Sequence, residues 1–339
     1  MKAALMHEGG DLRVEETADP RADGWALVSA KAAGVCGTDV HFVDGMIPPP
    51  GYPFQLGHES AGVVLEAPPG DAVSPGDRVA VYNFVGCGRC KPCRTGRESL
   101  CVDPVGQLGF SLPGGFADVV RAPAENLIPL PDEVSFETAA VLSCSGMSVV
   151  HASRLAGIGL GDSVVVNGIG GVGLMAVQVA VAAGARVIAV ADATGKGELA
   201  RDVGAEEAVI LEDGQGYDTL PDRVRDLTSG AGADHYIELV GTEETLLAGI
   251  RTLGRGGKLV IIGYTDAHLN VHPIELILSE IQVVTSVAGS KRDLETAIAL
   301  AASGRLRVTV DARYELDEIG EAIERLKARQ VRGRNVVVW

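Results

Sequence analysis

The feature that most constrains this chain is an alternation of apolar strand-like runs with helix-like runs, which begins near residue 162. The strand-like runs are nearly continuous in Val and Ile, as in SVVVNG, RVIAVAD, EAVILE and KLVIIGY. Runs without polar alternation indicate strands buried on both faces, hence a parallel sheet covered by helices. Six such strands with their crossovers predict one complete doubly wound α/β domain of the Rossmann type.

The first part of the chain has a different sequence pattern. Short β-type runs such as WALVSAKAAGV and SAGVVLEA are separated by turn-rich stretches such as PPPGYP and APPGDAVSPGD. The 339 residues exceed what one ordinary core supports. We therefore predict a mainly β domain over residues 1–150, the α/β domain over 151–287, and a C-terminal segment over 288–339 that returns to the first domain.

Charge and composition exclude several classes of partner. Twenty-nine basic against 45 acidic residues give a net charge of −16, which opposes binding to nucleic acid or to anionic lipid. The uncharged stretch 164–185 is interrupted by glycines, which disfavours a membrane span. The N-terminus has no apolar run of secretory type, so we expect a cytoplasmic protein.

A glycine-rich turn joins the first strand of the α/β domain to its helix. In VVVNGIGGVGLM, Gly168, Gly170 and Gly173 have G-x-G-x-x-G spacing, with Gly171 and Val172 between them. Glycine lets the turn close and lets the backbone approach a pyrophosphate at the helix N-terminus. In this strand-turn-helix context the motif predicts dinucleotide binding.

The end of the second strand bears on which dinucleotide is bound. RVIAVADATGK places Ala191 and then Asp192 where an acid that accepts the ribose hydroxyls of NAD is expected. Asp192 would repel the 2′-phosphate of NADP. NAD is favoured, and NADP stays open because the acid stands at or one past the expected position.

Four cysteines lie in GCGRCKPCRTGRESLC, at Cys87, Cys90, Cys93 and Cys101. Two C-x-x-C steps followed by a fourth thiol can surround one zinc ion tetrahedrally, which leaves no ligand position for a substrate. The alternative is two disulfides, which need an oxidising compartment. We predict a closed, structural zinc site.

The remaining cysteines are Cys36 and Cys144, and His58 lies in another glycine-flanked loop. Two thiolates and one imidazole form a set that leaves the fourth position of zinc open. Sequence spacing alone does not show that these residues converge, and buried structural cysteines with an ordinary histidine are the alternative.

The sequences of five segments, and their order along the chain, carry a family resemblance. GVCGTDVH, GHESAG, the four-cysteine segment, LSCSG and NGIGGVG occur in this order at the usual separations. Together they resemble the zinc-dependent alcohol dehydrogenases of the medium-chain dehydrogenase/reductase superfamily, over essentially the whole chain. The resemblance implies that the first, mainly β domain is GroES-like and catalytic.

The resemblance also implies metal ligands. Cys36, His58 and Cys144 match the ligands of the catalytic zinc, and Glu59 matches a carboxylate that approaches or ligates the metal. Together with the four-cysteine segment this implies two zinc ions per chain.

Other roles follow from the resemblance in the same way. Asp39 matches an acceptor that orients His58, Thr38 matches the hydroxyl that bonds the substrate oxygen, and His41 matches the solvent end of a proton relay. Lys196 is implied near the adenosine ribose, and Arg334 near the pyrophosphate.

The implied activity is reversible hydride transfer between an uncharged alcohol and a nicotinamide cofactor. The candidate pocket aromatics are Phe42, Tyr82, Phe84 and Phe110, although ordinary core positions explain them equally well. The open alternatives are a polyol or amino-alcohol dehydrogenase, a zinc-free reductase of the same superfamily, and a non-catalytic nucleotide-binding zinc protein. The resemblance also implies a dimer or tetramer through the edge strand at 282–287.

Overall fold

The computed structural model describes residues 1–212 and 216–339, which form two compact units. Unit 1 comprises Met1–Met147, Gly289–Gly304 and Val308–Trp339, and unit 2 comprises Ser148–Ala288 and Arg305–Arg307. The sequence placed the divisions at 150/151 and 287/288, whereas the corresponding divisions in the structure follow Met147 and Ala288.

The strands in chain order are β1 Lys2–Met6, β2 Leu12–Glu16, β3 Ala26–Val35, β4 Phe54–Gln55, β5 Ser60–Glu66, β6 Arg78–Val81, β7 Phe84–Val85, β8 Gly106–Gln107, β9 Val119–Ala122, β10 Leu127–Pro129, β11 Ser163–Asn167, β12 Arg186–Ala191, β13 Glu207–Ile210, β14 Ala233–Glu238, β15 Leu253–Ile261, β16 Gln282–Thr285, β17 Val310–Tyr314 and β18 Arg334–Val338. The α-helices are α1 Gly37–Val43, α2 Lys91–Arg94, α3 Phe136–Val141, α4 Met147–Ala156, α5 Gly171–Ala182, α6 Thr194–Asp202, α7 Leu220–Leu227, α8 Glu243–Thr252, α9 Pro273–Ile277, α10 Lys291–Ala302 and α11 Ile319–Lys327.

Unit 1 is built around a sheet in the order β10-β6-β5-β3-β18-β17, with β9 also paired to β3. The long strand β3 alternates buried and half-buried residues and then becomes buried throughout as it approaches Cys36. The C-terminal strand β18 pairs antiparallel with β3, with Val336 opposite Gly34. The end of the chain therefore completes the sheet that carries Cys36.

Unit 2 contains a six-stranded sheet in the order β13-β12-β11-β14-β15-β16, and every described pairing in it is parallel. The strand order reverses between β11 and β14, and in sheets of this kind ligands bind at the carboxyl ends of such strands. Buried apolar side chains, including Val165, Ile188 and Leu259, fill the core. The predicted fold class, a Rossmann-type parallel sheet plus a mainly β domain, is confirmed.

No helix among residues 1–212 and 216–339 is long and apolar enough to cross a bilayer. The uncharged stretch 164–185 is divided between the end of β11 and α5.

Candidate metal centres and dinucleotide site

Cys36 stands where β3 ends and α1 begins, and Asp39 in the first turn of α1 fixes this junction. The backbone N–H of Cys36 donates to Oδ2 of Asp39 at 2.8 Å. The other carboxylate oxygen, Oδ1, lies 3.5 Å from Nδ1 of His58. One buried carboxylate thus positions both the cysteine loop and the imidazole.

His58 follows a tight turn that requires glycine. Gly57 has φ +96°, and a Cβ there would lie 2.5 Å from the backbone nitrogen of Phe116. The imidazole is buried, and neither ring nitrogen has a hydrogen-bond partner among the described residues. Buried polar atoms are normally satisfied. Because Nδ1 faces the Asp39 carboxylate, Nε2 is the nitrogen that suits a bond to a metal.

The electrostatics around His58 agree with a metal site. Burial alone lowers the pKa of His58, but the Asp39 carboxylate and the Cys36 thiol outweigh it and raise that pKa well above its ordinary value. The groups around His58 thus favour positive charge at this position. A metal ion that binds here replaces the proton with its own charge.

Cys144 lies in a single π-helical turn, Leu142–Gly146, between α3 and α4. One extra residue in a helical turn shifts the side chains that follow, and such turns are frequent at functional sites. Ser143 Oγ, in the same turn, donates to the carbonyl oxygen of Ala140 at 2.7 Å. No sequence pattern around Cys144 indicates this local geometry.

The four predicted residues of the first metal site converge. One ligand atom from each of Cys36, His58, Glu59 and Cys144 lies within 4.8 Å of all the others. The pKa of the Cys36 thiol is held well below its usual value, chiefly by a hydrogen bond from the Cys144 thiol, and burial opposes this shift. Two thiols, an imidazole and a carboxylate at this spacing are a donor set that zinc prefers.

Glu59 binds Arg334, which the family resemblance placed near the pyrophosphate. Both carboxylate oxygens of Glu59 accept from Nη2 of Arg334 at 2.6 Å, and Nη1 of Arg334 donates to Ser145 Oγ at 2.5 Å. Both charged residues are buried. Burial raises the pKa of Glu59 to about 7, and Arg334 opposes the shift. In unit 1 the Arg334 guanidinium therefore binds the carboxylate beside His58, and its predicted contact with a pyrophosphate stays a prediction.

Two residues of this cluster were missed by sequence reasoning. Ser145 follows Cys144 directly and bridges Arg334 to the metal site, its Oγ lying 3.4 Å from Glu59 Oε1. Gly34 leaves room for the carboxylate, because a Cβ there would lie 1.9 Å from Glu59 Oε2. A serine beside a candidate ligand was the available signal for Ser145.

Thr38 and His41 both lie on α1. Thr38 Oγ1 is 3.8 Å from the Cys36 sulfur, so the structure brings the hydroxyl beside the metal site. His41 comes three residues later, on the same face of the helix. Their catalytic roles stay predictions.

The four candidate pocket aromatics separate into two pairs. Phe110 is half-buried and stands edge-on to the His58 ring, with centroids 5.2 Å apart, whereas Phe42 behind it is buried in the core. Tyr82 is fully buried, donates its hydroxyl to Gly289 O at 2.8 Å and contacts Phe84. Of the four, only Phe110 has a described contact with a candidate ligand.

The four-cysteine segment forms a second cluster. Cys90 Sγ lies 3.4 Å from Cys93 Sγ and 3.8 Å from Cys101 Sγ, and atoms of all four thiols, Cys87 included, lie within 4.8 Å of one another. No disulfide joins cysteines among the described residues. Tetrahedral zinc with bonds of ~2.3 Å places its sulfurs about 3.8 Å apart. The cluster therefore fits a closed zinc site.

The glycine-rich turn of unit 2 shows why each glycine is needed. Gly168 follows the last residue of β11 and has φ +97°, and a Cβ on Gly173 would lie 2.1 Å from the carbonyl oxygen of Gly168. Gly170 precedes α5, and a Cβ there would meet open space. A tight turn, an open backbone and close helix packing are the three features of dinucleotide-binding turns. Gly171 and Val172 form the first turn of α5 and are half-buried.

The predicted ribose-binding residues lie at the carboxyl end of β12. Ala191 is the last, buried residue of this strand, and Asp192 follows it with a partly exposed side chain. Lys196 on α6 pairs with Asp192, Nζ to Oδ1, at 2.8 Å. The acid thus stands one residue beyond the strand and is held by the lysine one helical turn later.

Comparison with known proteins places this architecture in a family. Residues 22–132 match the alcohol dehydrogenase GroES-like domain, and residues 171–303 match the zinc-binding dehydrogenase family. An alcohol dehydrogenase of Geobacillus stearothermophilus is 33% identical over 99% of this chain and 98% of its own length. An NAD-dependent alcohol dehydrogenase of Sulfurisphaera tokodaii is 34% identical over 98% of each chain.

A solved structure agrees with these relatives. The alcohol dehydrogenase of the archaeon Aeropyrum pernix is 33% identical, covers 100% of both chains and has a TM-score of 0.91. The chain belongs to the zinc-dependent alcohol dehydrogenases of the medium-chain dehydrogenase/reductase superfamily. Its reaction class is zinc-dependent oxidation of an alcohol or reduction of the corresponding carbonyl, as predicted from the motifs.

Proposed function

We propose that this chain is an NAD-dependent dehydrogenase of small uncharged alcohols, with its catalytic zinc on Cys36, His58 and Cys144. The observation that carries the proposal is the convergence of these residues, since their ligand atoms lie within 4.8 Å of one another although Cys144 follows Cys36 by more than a hundred positions. The buried Nε2 of His58, which has no hydrogen-bond partner among the described residues, supports it.

When bound, zinc supplies Lewis-acid polarisation of the substrate oxygen and lowers the pKa of an alcohol. The residues of the chain then handle the proton. Thr38 is proposed to accept a hydrogen bond from the substrate hydroxyl, and His41, one helical turn away, is proposed to take up the proton at the solvent end of the relay. Asp39 keeps His58 in one orientation and fixes its tautomer. Arg334 and Ser145 hold the Glu59 carboxylate.

NAD is the cofactor that this proposal assigns, and it supplies the hydride acceptor. Gly168, Gly170 and Gly173 are proposed to admit its pyrophosphate, with backbone donors from Gly171 and Val172 at the N-terminus of α5. Asp192, with Lys196 on its carboxylate, is proposed to bind the adenosine ribose beyond Ala191. The carboxylate repels an added 2′-phosphate.

Cys87, Cys90, Cys93 and Cys101 are proposed to hold the second zinc as a structural ion. Four thiolates fill the coordination sphere, so this ion has no position for a substrate. We also propose a reducing compartment such as the cytoplasm, because two zinc sites built on thiolates need reduced cysteines.

The proposal is tested by a panel of alcohols, diols, amino alcohols and carbonyls with NAD and NADP in parallel, followed by absorbance of the reduced nicotinamide. We expect alcohol-dependent reduction, with kcat/KM for NAD about tenfold or more above that for NADP, equivalent to ~1.4 kcal/mol. Asp192→Ala is expected to narrow this ratio. A strong preference for diols or amino alcohols favours the polyol or amino-alcohol alternative.

Two outcomes of this panel contradict the proposal. Equal use of NADP by the parent chain contradicts the cofactor assignment and leaves the zinc chemistry in place. No turnover of any alcohol or carbonyl by a chain that carries two zinc ions favours the non-catalytic alternative.

We also propose that the chain forms a homo-oligomer through β16 and the neighbouring helix α9. Strand β16 is the last strand in its sheet, and the open edge of a terminal strand can pair with another chain. Several apolar side chains near it are exposed, namely Ile274, Ile277, Leu278, Val283 and Val287. Exposed apolar groups that gather in one region mark interaction sites.

Sedimentation tests the oligomer. We expect a mass of twice or four times 35.1 kDa for the parent chain. A double substitution, Val283→Lys with Val287→Lys, is expected to shift the mass towards the monomer. Val102→Lys, at an exposed valine near the four-cysteine cluster, is the matched control and should change nothing. A monomeric parent chain contradicts the proposal.

A further inference from the structure

Three buried polar side chains form a hydrogen-bonded network directly beneath the glycine-rich turn of unit 2. The Tyr217 hydroxyl donates to Oδ1 of Asn167 at 2.9 Å, and Nδ2 of Asn167 donates to Oε2 of Glu238 at 3.0 Å. Asn167 and Glu238 are fully buried, and Tyr217 is 9% exposed. None of these residues has a part in the function proposed above.

This hydrogen-bonded network lies at the ends of two neighbouring strands of the sheet. Asn167 is the last residue of β11 and directly precedes Gly168, and Glu238 is the last residue of β14. These two residues are partners in the parallel pairing of β11 with β14. The strand order reverses between these two strands, so the hydrogen bond spans the switch point of the sheet.

Glu238 also holds the loop that follows β14. Its Oε1 accepts the backbone N–H of Val240 at 2.6 Å and that of Gly241 at 2.8 Å. This loop packs on the glycine turn, because a Cβ added to Gly168 would lie 3.0 Å from Cγ2 of Val240. The side chain of Glu238 thus connects the turn before α5 to the loop before α8.

The order of hydrogen-bond donors and acceptors along this network is fixed. Burial raises the pKa of Tyr217 to about 12, so its hydroxyl keeps its proton and donates to Oδ1 of Asn167. The amide nitrogen of Asn167 then faces Glu238, which must accept. Burial also raises the pKa of Glu238, and its hydrogen bonds to Gly241 and Asn167 oppose the shift. A buried acid without a cation costs free energy, so an apolar side chain would serve packing better.

We propose that Tyr217, Asn167 and Glu238 are positioning residues for the dinucleotide, which fix the glycine turn and the 239–242 loop in one arrangement before the cofactor binds. This inference rests on the dinucleotide site proposed above. A pre-ordered site loses less conformational entropy on binding. Disturbing the order of donors and acceptors should therefore weaken NAD binding without changing the metal sites of unit 1.

The test exchanges the two buried groups. Glu238→Gln places two amide nitrogens against each other, and Asn167→Asp places two carboxylates against each other. The double variant Asn167→Asp/Glu238→Gln reverses donor and acceptor between the two positions and restores every hydrogen bond described above. Tyr217→Phe removes only the terminal donor. NAD dissociation constants are measured by calorimetry, together with zinc content and the unfolding midpoint.

We expect each exchange variant alone to raise the dissociation constant for NAD about tenfold, since a hydrogen bond to a charged group contributes ~1.5–3 kcal/mol. The double variant should return it to within about threefold of the parent. Tyr217→Phe should weaken binding by a smaller factor. All variants should keep two zinc ions and an unchanged KM for the alcohol.

Three results overturn the inference. One is an unchanged dissociation constant for NAD in both Glu238→Gln and Tyr217→Phe. These two variants are sufficient for the comparison if Asn167→Asp does not fold. Another is a double variant that recovers its unfolding midpoint but not its affinity for NAD, which shows a purely structural role. The last is a parent chain that does not bind NAD, which removes the proposed dinucleotide site as well. The first two leave that site intact.

Discussion

Cys36→Ser is expected to lower kcat/KM for alcohol oxidation by about a thousandfold or more. The hydroxyl of serine is a far weaker zinc ligand than a thiolate, and loss of the ion removes several kcal/mol of transition-state stabilisation. Zinc content should fall from two ions per chain to one. The measurement is alcohol-dependent formation of reduced NAD, with metal analysis of the same sample.

Cys93→Ser is the matched control, since it also removes one thiolate but from the four-cysteine cluster. We expect fresh Cys93→Ser enzyme to keep most of its activity while its unfolding midpoint and its half-life on heating fall. The zinc mechanism is wrong if Cys36→Ser oxidises alcohol at the full rate. The assignment of the two sites is reversed if Cys93→Ser loses turnover while Cys36→Ser loses only stability.

The sequence was sufficient for the fold because its signals are local. The Val-rich runs and the glycine spacing lie within short windows, and the strand order of the parallel sheet follows the pattern common to doubly wound domains. Gly168, Gly170 and Gly173 could each be given a physical role before the turn was seen. The structure shows the positive φ of Gly168 and the close contact at Gly173, whereas a Cβ on Gly170 would meet open space.

The site was harder to predict because its contacts span the chain. Spacing alone left the convergence of Cys36, His58 and Cys144 open, and the family resemblance supplied it. Arg334 meets Glu59 across 275 positions, and no local pattern reports such a pair. The π-helical turn around Cys144 was missed for another reason, since its single extra residue leaves the helical periodicity of the segment almost unchanged.

The same limit applies to side-chain direction. Phe42 and Phe110 were equal candidates for the substrate pocket, yet one is 2% exposed in the core and the other stands half-buried against the His58 ring. A sequence shows that an aromatic side chain is present but not which face of a loop it leaves from. Only the packing of unit 1 separates the two.

Arg334→Met is expected to destabilise the fold by about 3–5 kcal/mol, because it leaves the Glu59 carboxylate buried without its partner. The substitution removes three hydrogen bonds that Arg334 donates, two to the Glu59 carboxylate and one to Ser145 Oγ. Urea unfolding of the protein after removal of zinc measures the change, because a zinc ion beside Glu59 would itself lower the pKa of that carboxylate. Arg313→Met is the control, since it also loses two hydrogen bonds to one carboxylate, that of Glu137, but in a partly exposed pair, and it should cost about 1 kcal/mol or less.

The loss in Arg334→Met should depend on pH in a defined direction. The pKa of Glu59 is already raised to about 7 by burial, and without the opposing guanidinium it must rise further. Between the unfolded pKa of 4.5 and this raised value the folded state binds more protons, so stability falls as pH increases. Arg334→Met should therefore be less stable at pH 8 than at pH 6, by more than the parent chain is. Adding Glu59→Gln should remove most of this extra pH dependence and recover part of the lost stability, whereas a double variant as unstable as Arg334→Met at both pH values would show that the arginine stabilises unit 1 by other contacts.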